Sequence, residues 1–282
     1  MVKIIADSTC DLSRELIDEY DIDIIPLNII MGENTYCDGS DITPDEIFEW
    51  ADLNKTTPKT SAVNPERVKA VLEKYKDRPV IFFGISSKMS STCDIVRIVA
   101  EEDNYDNVIV VDSENLSTGI GLQVIRAARM AQCGADAQTI ASAIEASRPY
   151  VSASFVVDTL TYLARGGRCS QVTALVGNML KLKPEIVVSE GGMHVNRKYR
   201  GSSSSVILKY AKDMEDELLK AAPDMVFITH SGCDSSVINK IKEYLSGLNH
   251  FDKIYETRAG GVISSHCGPR TLGILYYQEE RQ

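Results

Sequence analysis

The sequence predicts an α/β protein with two domains, the first built on a parallel sheet and the second on a mixed sheet. Short apolar segments of β type alternate with segments of helical periodicity through the first 150 residues, which is typical of parallel β-α-β units. Beyond Pro149 the pattern changes, because two strand-like segments follow each other and turn on Gly191-Gly192. We therefore predict an N-terminal α/β domain over residues 1–150 and a C-terminal α/β domain over residues 151–282.

Polar residues follow three of the predicted strands in the first half. The first strand, Val2–Ala6, runs directly into an Asp-Ser-Thr sequence, and two later strands end in a similar way. Because the loops at the carboxyl ends of parallel strands line the ligand crevice of such sheets, we expect these residues to share one polar rim. They are Asp7-Ser8-Thr9, Ser86-Ser87 and Asp112-Ser113.

Two helix starts in the first half enclose a polar loop. Thr43-Pro44-Asp45-Glu46 is a capping box with proline at the first helical position, and it predicts a helix over Pro44–Leu53. Asn64-Pro65 begins another helix that runs through Tyr75. The proline-punctuated segment between these helices places Thr60 and Ser61 in an exposed loop that could contact a ligand.

The stretch from Val80 to Cys93 predicts an anion site. An apolar strand stops at Gly84, hydroxyl residues cluster at positions 86–92, and a helical segment follows from Ile95. Hydroxyls and free N–H groups at a helix start favour a carboxylate or a phosphate. The alternative is that these hydroxyls only cap the helix and shape the turn.

The second half contains further strands and helices. The predicted elements are a strand over Ala153–Val157, an amphipathic helix over Gln171–Lys181, a hairpin of Glu185–Ser189 and Met193–Arg197, a helix capped by the serines at 202–205 and running to Ala221, strands over Met225–Thr229 and Lys253–Thr257, a helix over Ser235–Leu245, and a last strand over Ile274–Tyr277.

Composition excludes several classes of protein. No apolar run approaches the roughly 20 residues that span a bilayer, and the N-terminus reads as a strand rather than a signal peptide. The formal net charge of −10 argues against nucleic-acid binding, because phosphate backbones would be repelled. The seven cysteines are scattered and never spaced C-x-x-C, which favours reduced thiols over a disulfide framework or a zinc site. We expect a cytoplasmic protein without a metal.

Common catalytic motifs are absent. The chain has no P-loop, and the nearest approach to a nucleophile elbow, Gly84-Ile85-Ser86-Ser87-Lys88, has lysine in place of the second glycine. The remaining candidates are polar residues in glycine- or serine-rich loops, for which structural or solvated surface roles are the alternative. They are Thr60, Ser61, Ser90, Ser91, Thr92, Arg168, Arg200 and His266.

An ordered series of short motifs resembles the DegV family over nearly the whole chain. The motifs are D-S-T-C-D-L at 7–12, Thr60-Ser61 after a lysine, S-S-K-M-S-S-T at 86–92, Asp112-Ser113, L-x-x-G-G-R ending at Arg168, Lys183-Pro184, and S-S-H-C-G-P at 264–269. Each motif alone is weak evidence of membership, but the order in which they all occur is specific to this family.

The resemblance implies a non-enzymatic protein of bacterial type that binds a long-chain fatty acid between its two α/β domains and uses no cofactor. In the better understood members, a separate ATP-dependent fatty-acid kinase subunit phosphorylates the carboxylate to an acyl phosphate. By motif, Thr60 and Ser90 would hydrogen-bond the carboxylate, with Ser61, Ser91, Thr92 and His266 around the head group. Arg200 would face the kinase and the phosphoryl group, and Arg168 is a further candidate for that role.

Two positions depart from the family pattern. Ser91 and Arg270 stand where the family usually has glycine. A Cβ at residue 91 would crowd a close approach of the backbone to the carboxylate. Arg270 would add a cation at the mouth of the site.

A different class of protein also fits the residues. A self-sufficient hydrolase or transferase acting on an acyl or phosphorylated small molecule could use Ser90 or Ser86 as nucleophile and His266 as base. Such an enzyme needs a third group that orients the base, whereas a binding protein needs an enclosed apolar tunnel.

Overall fold

A parallel sheet forms the centre of the first half of the chain. The structure is a computed structural model that describes residues 1–169 and 182–279. Four strands, β1 (Lys3–Asp7), β2 (Ile22–Ile25), β6 (Val80–Gly84) and β7 (Val108–Asp112), pair in the order β2-β1-β6-β7. Every pairing in this sheet is parallel, which confirms the predicted architecture of the first half.

A small antiparallel sheet lies beside it. Its strands are β3 (Asn28–Met31), β4 (Asn34–Cys37) and β5 (Lys59–Ser61), in the order β4-β3-β5. Thr60 lies opposite Ile29 and Ser61 opposite Asn28, so the prediction of a loop at these two residues was wrong. A strand of three residues is too short to show an alternating pattern in the sequence. We refer to these three strands as the small sheet.

The second half contains a six-stranded mixed sheet. Its strands are β8 (Val151–Val156), β9 (Leu182–Ser189), β10 (Gly192–Arg200), β11 (Ala221–His230), β12 (Ile254–Arg258) and β13 (Leu272–Gln278). They pair in the order β10-β9-β8-β13-β11-β12, antiparallel except for β11 with β12. The mixed sheet is therefore confirmed.

The hairpin between β9 and β10 turns one residue earlier than predicted. Its central residues are Glu190 and Gly191, both with positive φ (49° and 72°), while Gly192 belongs to β10. Two positive φ angles are the requirement of a type I′ turn, whose twist matches the flanking strands. The Ser86 hydroxyl donates to the Gly191 carbonyl at 2.7 Å, which joins the hairpin to the loop after β6.

Helices cover the sheets. They are α1 (Arg14–Glu19), α2 (Pro44–Asn54), α3 (Pro65–Lys74), α4 (Thr92–Glu102), α5 (Thr118–Gln132), α6 (Ala137–Ser147), α7 (Thr161–Gly166), α8 (Ser203–Asp213), α9 (Glu215–Leu218), α10 (Ser235–Gly247) and α11 (Gly261–Cys267), with short 3₁₀ turns at Ser8–Cys10 and Arg148–Tyr150. Within the described ranges, no helix is long and apolar enough to cross a membrane.

Several predicted helix boundaries are confirmed and others are wrong. The capping box at Thr43 forms, with the hydroxyl accepting from Glu46 N–H and the Glu46 carboxylate accepting from Thr43 N–H. The long helix predicted to end at Ala221 stops at Asp213, and Ala221 already begins β11. The segment 261–267 is helical although it reads as a loop in the sequence. The helix predicted over 171–181 lies outside the described residues.

The largest apolar core is shared by both halves. Helix α5 contributes Ile120, Leu122, Val124 and Ile125, all fully buried, and it packs on β1 of the parallel sheet and on β13 of the mixed sheet. The strands of the mixed sheet begin directly after Arg148–Tyr150. A boundary between two domains near residue 150 remains our proposal.

Glycine at the start of α11 lets this helix lie directly on the small sheet. A Cβ on Gly261 would come within 2.5 Å of the Ile29 side chain and 2.8 Å of the Ile47 side chain. Both isoleucines are completely buried, so neither has free space into which to move.

We expect Gly261→Ala to lower the free energy of unfolding by about 1–3 kcal/mol, because it overpacks this contact. The control is Gly247→Ala at the end of α10, where an added Cβ meets no atom within 4 Å. That control should be neutral or slightly stabilising. Urea denaturation measures both, and equal effects of the two substitutions would contradict the packing described.

Candidate functional site

A cavity lies between the two halves of the chain. Its volume is about 290 Å³, and most of its wall is apolar. Both halves supply the lining: Leu27, Ile85, Met89 and Leu116 from the first, and Phe155, Leu163, Met193, Val262 and Leu275 from the second. All of these side chains are buried. A largely apolar cavity, open at one end, therefore lies between the two halves.

Polar residues lie where this cavity reaches the surface. Among the described residues that line the cavity, those exposed to solvent are Ser61, Ser91 and Arg168, while Thr60 and Ser90 are half-buried. The cavity is thus amphipathic: its mouth is rich in hydroxyls and its interior is mostly apolar, with the buried polar residues Ser117, Thr229, His230, Ser231 and Thr271 also in the lining. A ligand with one polar end and a long apolar part fits this distribution.

A hydrogen bond at the mouth joins the two halves. The Thr60 Oγ1 on β5 lies 2.8 Å from the Nε2 of His266 on α11, although the residues are 206 positions apart in the chain. Burial, together with the positive charge of Arg168, lowers the pKa of His266 to about 4. The imidazole is therefore neutral at physiological pH.

The other ring nitrogen of His266 faces a glycine. The Nδ1 is buried without a hydrogen-bond partner, and a Cβ on Gly166 would come within 2.3 Å of it. A proton on Nδ1 would leave a buried donor unsatisfied, whereas a proton on Nε2 has Thr60 Oγ1 as its acceptor. We therefore assign the Nε2–H tautomer. The Thr60 hydroxyl then keeps its own proton for an anionic ligand.

The serines of the central stretch divide into two groups. The side chains of Ser90 and Ser91 line the cavity, as predicted for groups near a ligand. Thr92 is completely buried, its hydroxyl lies 3.0 Å from Ser90 Oγ, and its N–H donates to that oxygen at 3.3 Å. Thr92 therefore holds the Ser90 hydroxyl in position through these hydrogen bonds and does not itself line the cavity. Ser86 is buried and hydrogen-bonded to the hairpin.

The three arginines named from the sequence have different surroundings. Arg168 lines the cavity, and its guanidinium donates to the Gly166 carbonyl at 2.6 Å. Arg200 is exposed at the end of β10 and does not line the cavity. Arg270 was expected to add a cation at the mouth, but its guanidinium donates twice to Asp158, at 2.6 and 3.0 Å. Its φ of 59° lies in the left-handed region, which explains why glycine suits this position.

Two buried aspartates, for which no role at the site was predicted from the sequence, bind the start of α11. Asp11 accepts from Gly260 N–H at 2.8 Å, and Asp38 accepts from Gly261 N–H at 2.7 Å. Burial raises the pKa of both carboxyls. Each also accepts from a hydroxyl, Asp11 from Ser117 and Asp38 from Ser8. The D-S-T-C-D-L motif contains Asp11, but nothing in it indicates a hydrogen bond to Gly260, which is far away in the sequence. Asp38 lies in none of the motifs.

The residues predicted to form a polar rim do lie together at the carboxyl ends of the parallel strands, but none of them lines the cavity. Asp7 accepts from Ile85 N–H at 2.8 Å, Ser113 Oγ donates to the Gly84 carbonyl at 2.7 Å, and Asp112 accepts from Ser87 N–H at 3.3 Å. These bonds connect β1, β6 and β7 to one another. They fix the loop after β6 that leads to Ser90.

Hydroxyl groups and a neutral imidazole at the mouth of an apolar cavity can bind an anionic head group without neutralising it. A bidentate arginine would occupy both carboxylate oxygens, while hydroxyl donors leave one lone pair or more available. Within the described residues, no group of three or more histidine, cysteine or acidic side chains could hold a metal ion. The fold and the site define an α/β protein with a cavity between its halves that is suited to an amphipathic ligand.

Comparison with known proteins gives the family. The profile described as "Uncharacterised protein, DegV family" matches residues 1–279, and the chain belongs to this family. A DegV domain-containing protein of Clostridium perfringens is 32% identical over 283 residues, which cover 99% of each chain.

Solved structures of similar proteins contain the same fold. One of them is a fatty-acid-binding DegV family protein of Thermus thermophilus, with a TM-score of 0.88 and 28% identity. The match covers 98% of this chain and 99% of the Thermus chain. A stearic-acid-binding protein of Eubacterium ventriosum has a TM-score of 0.85 at 29% identity, with 99% of each chain covered. DegV of Bacillus subtilis, a fatty acid binding protein, has a TM-score of 0.85 at 26% identity over 99% of each chain.

The lowered pKa of His266 predicts a pH dependence of stability. The unfolded chain takes up a proton on this histidine near pH 6.5, whereas the folded protein takes it up only near pH 4. Protonation therefore favours the unfolded state as the pH falls through this window. Between pH 6.5 and 4, wild type should lose about 3 kcal/mol of unfolding free energy relative to His266→Gln.

Chemical denaturation of both proteins at a series of pH values measures this difference. The comparison isolates His266, because the two proteins share all their other titratable groups. A constant difference across the window would contradict the buried, neutral His266.

Proposed function

We propose that this protein binds a long-chain fatty acid in the cavity between its halves and holds the carboxylate at the mouth. The observation that supports this most strongly is the contact between Thr60 and His266 at the polar end of a largely apolar cavity. The three fatty-acid-binding relatives described above extend over nearly the same length of chain and match its fold.

Apolar burial supplies most of the binding free energy in this proposal. Each buried methylene contributes about 0.8 kcal/mol, so a chain of about 15 methylenes gains roughly 12 kcal/mol before the costs of association and ordering. The wall formed by Phe155, Leu163, Met193 and Leu275 is suited to such a chain. The polar residues then need only determine which end of the ligand faces outward.

The head group is held by a relay of hydrogen bonds in this proposal. His266 donates from Nε2 to Thr60 Oγ1, and the Thr60 hydroxyl donates to one carboxylate oxygen. Ser90 lines the same mouth and donates to the carboxylate as well, with Thr92 fixing its position. Ser61, Ser91 and Arg168 form the exposed rim around the head group.

The exposed head group is then available to a second protein. We propose that an ATP-dependent fatty-acid kinase subunit binds at this face, as the family resemblance implies, and that a carboxylate oxygen attacks the terminal phosphorus of ATP to give acyl phosphate and ADP. Arg200 and Arg168 are the exposed cations proposed to face the kinase and the phosphoryl group. The protein itself would then be the binding subunit and not the enzyme.

The contacts of the serines argue against the alternative of a serine hydrolase. Ser86 is buried with its hydroxyl on a carbonyl, and Ser90 is paired with Thr92 rather than with an imidazole. His266 has Thr60 as its partner, and no carboxylate orients its Nδ1. The nucleophile, base and orienting group of a triad are thus not assembled among the described residues.

We expect mass spectrometry of organic extracts to find a long-chain fatty acid with the purified protein and not with a mock purification. Thr60→Val, which removes the proposed donor, should weaken palmitate affinity about tenfold, because a hydrogen bond to a charged group is lost. The control is Thr139→Val on the exposed face of α6, which should bind as wild type does. Absence of lipid together with no uptake of added palmitate would refute the proposal.

In reconstitution with a fatty-acid kinase subunit and ATP, Arg200→Ala should slow acyl phosphate formation about tenfold or more, because a cation at the phosphoryl group is removed. Its palmitate affinity should not change, since Arg200 does not line the cavity. Lys198→Ala, an exposed cation on the same strand, is the matched control. Equal rates for the two variants would remove Arg200 from the proposed kinase face.

A further inference from the structure

We propose that Asp38 is a positioning residue for the head-group site: by binding the first turn of α11 it determines where His266 meets Thr60. This inference rests on the proposed function, because it concerns the same hydrogen bond at the mouth of the cavity. Asp38 does not line the cavity and is not expected to contact the ligand.

The small sheet contacts α11 at both of its ends. Asp38 directly follows β4 and accepts from Gly261 N–H at 2.7 Å, and Thr60 on β5 contacts His266 at 2.8 Å. Strand β3 lies between them and pairs with both, with Ile29 opposite Tyr36 on β4 and opposite Thr60 on β5. The small sheet and the residue that directly follows β4 therefore contact both ends of the helix. His266 lies five positions after Gly261, a rise of about 7.5 Å along an α-helix.

Asp38 is itself held firmly. Its backbone N–H donates to the Leu27 carbonyl at 3.0 Å, and its second carboxylate oxygen accepts from Ser8 Oγ at 2.8 Å. The same Ser8 oxygen accepts from Leu27 N–H at 3.1 Å. Only 3% of Asp38 is exposed, so water cannot easily replace it as the acceptor for Gly261.

This contact matters because the helix is short and lacks a side-chain cap. It has seven residues, and its N-cap is Gly260, which has no side chain that could accept a hydrogen bond. Its first N–H groups are satisfied by carboxylates from the other half of the chain, Asp38 and Asp11. Without Asp38, a buried N–H loses its partner and the helix gains freedom to shift. A shift of His266 by a few tenths of an ångström is enough to lengthen a hydrogen bond of 2.8 Å.

A double-substitution cycle on palmitate affinity tests the inference. Asp38→Ala should weaken binding about tenfold, and Asp38→Asn, which keeps an oxygen for Gly261 N–H, should recover part of this loss. Because Asp38 acts through Thr60 and His266, adding Asp38→Ala to Thr60→Val should weaken binding by no more than about twofold beyond Thr60→Val alone.

The matched control is Asp136→Ala. Asp136 also caps a helix through its carboxylate, accepting from Thr139 N–H at 2.9 Å, but its helix α6 does not line the cavity. This variant should lose stability and keep wild-type affinity. If Asp38→Ala also keeps wild-type affinity, or if its loss multiplies with that of Thr60→Val to about a hundredfold, Asp38 has no positioning role. Should Asp38→Ala fail to fold, the same cycle is run with Asp38→Asn.

The imidazole signals of His266 give a readout that needs no ligand. In histidine-labelled protein, Asp38→Ala should shift them and Asp136→Ala should not. If wild type binds no palmitate but these shifts occur as expected, the positioning contact stands while the proposed function fails. Unchanged His266 signals in Asp38→Ala would overturn the inference whether or not palmitate binds.

Discussion

In the proposed function, the head-group site depends on the position of one short helix. Helix α11 supplies His266 from the second half of the chain, while Thr60 and Ser90 come from the first half. The helix is too short for its own hydrogen bonds to stabilise it, since isolated helices below roughly 12–15 residues are marginal in water. Its N–H groups are bound by Asp11 and Asp38, and its first residue packs on Ile29 and Ile47. Burying carboxylates is costly, and several hydrogen bonds to each offset that cost.

The neutral state of His266 follows from close packing as well. Gly166 covers one nitrogen of His266, so the imidazole is desolvated on that side and its pKa is lowered to about 4. The ring therefore orients Thr60 through a hydrogen bond rather than attracting a ligand through charge. In the proposed function this leaves the carboxylate anionic and nucleophilic, which a tight ion pair would prevent. The first glycine of the G-G-R motif, Gly166, is thus explained by the close approach of α7 to α11.

The sequence predicted elements well where local patterns are strong. The apolar runs of β1, β6 and β7, the capping box at Thr43 and the proline after Asn64 all correspond to observed elements. The prediction failed for β5 and for α11, which have three and seven residues and are stabilised by tertiary contacts rather than by propensity. The hairpin was misplaced by one residue because Glu190 adopts a positive φ that its side chain does not favour.

Site residues could be predicted only in part. Thr60, Ser61, Ser90, Ser91, Arg168 and His266 line one cavity, and the order of short motifs pointed to each of them. The supporting layer was not predictable: Thr92 looks like its neighbours in the sequence, and the partner of Asp38 lies 223 positions away. Arg270 was expected to be a free cation, but Asp158, 112 positions away, binds it. Such pairings arise from the fold and leave no local pattern.

A crystal structure of the protein with stearate added tests the proposed function most directly. We expect the alkyl chain in the cavity among Phe155, Leu163 and Leu275, with a carboxylate oxygen within hydrogen-bond distance of Thr60 Oγ1. A carboxylate bound instead at Arg200, or a chain lying outside the cavity, would contradict it.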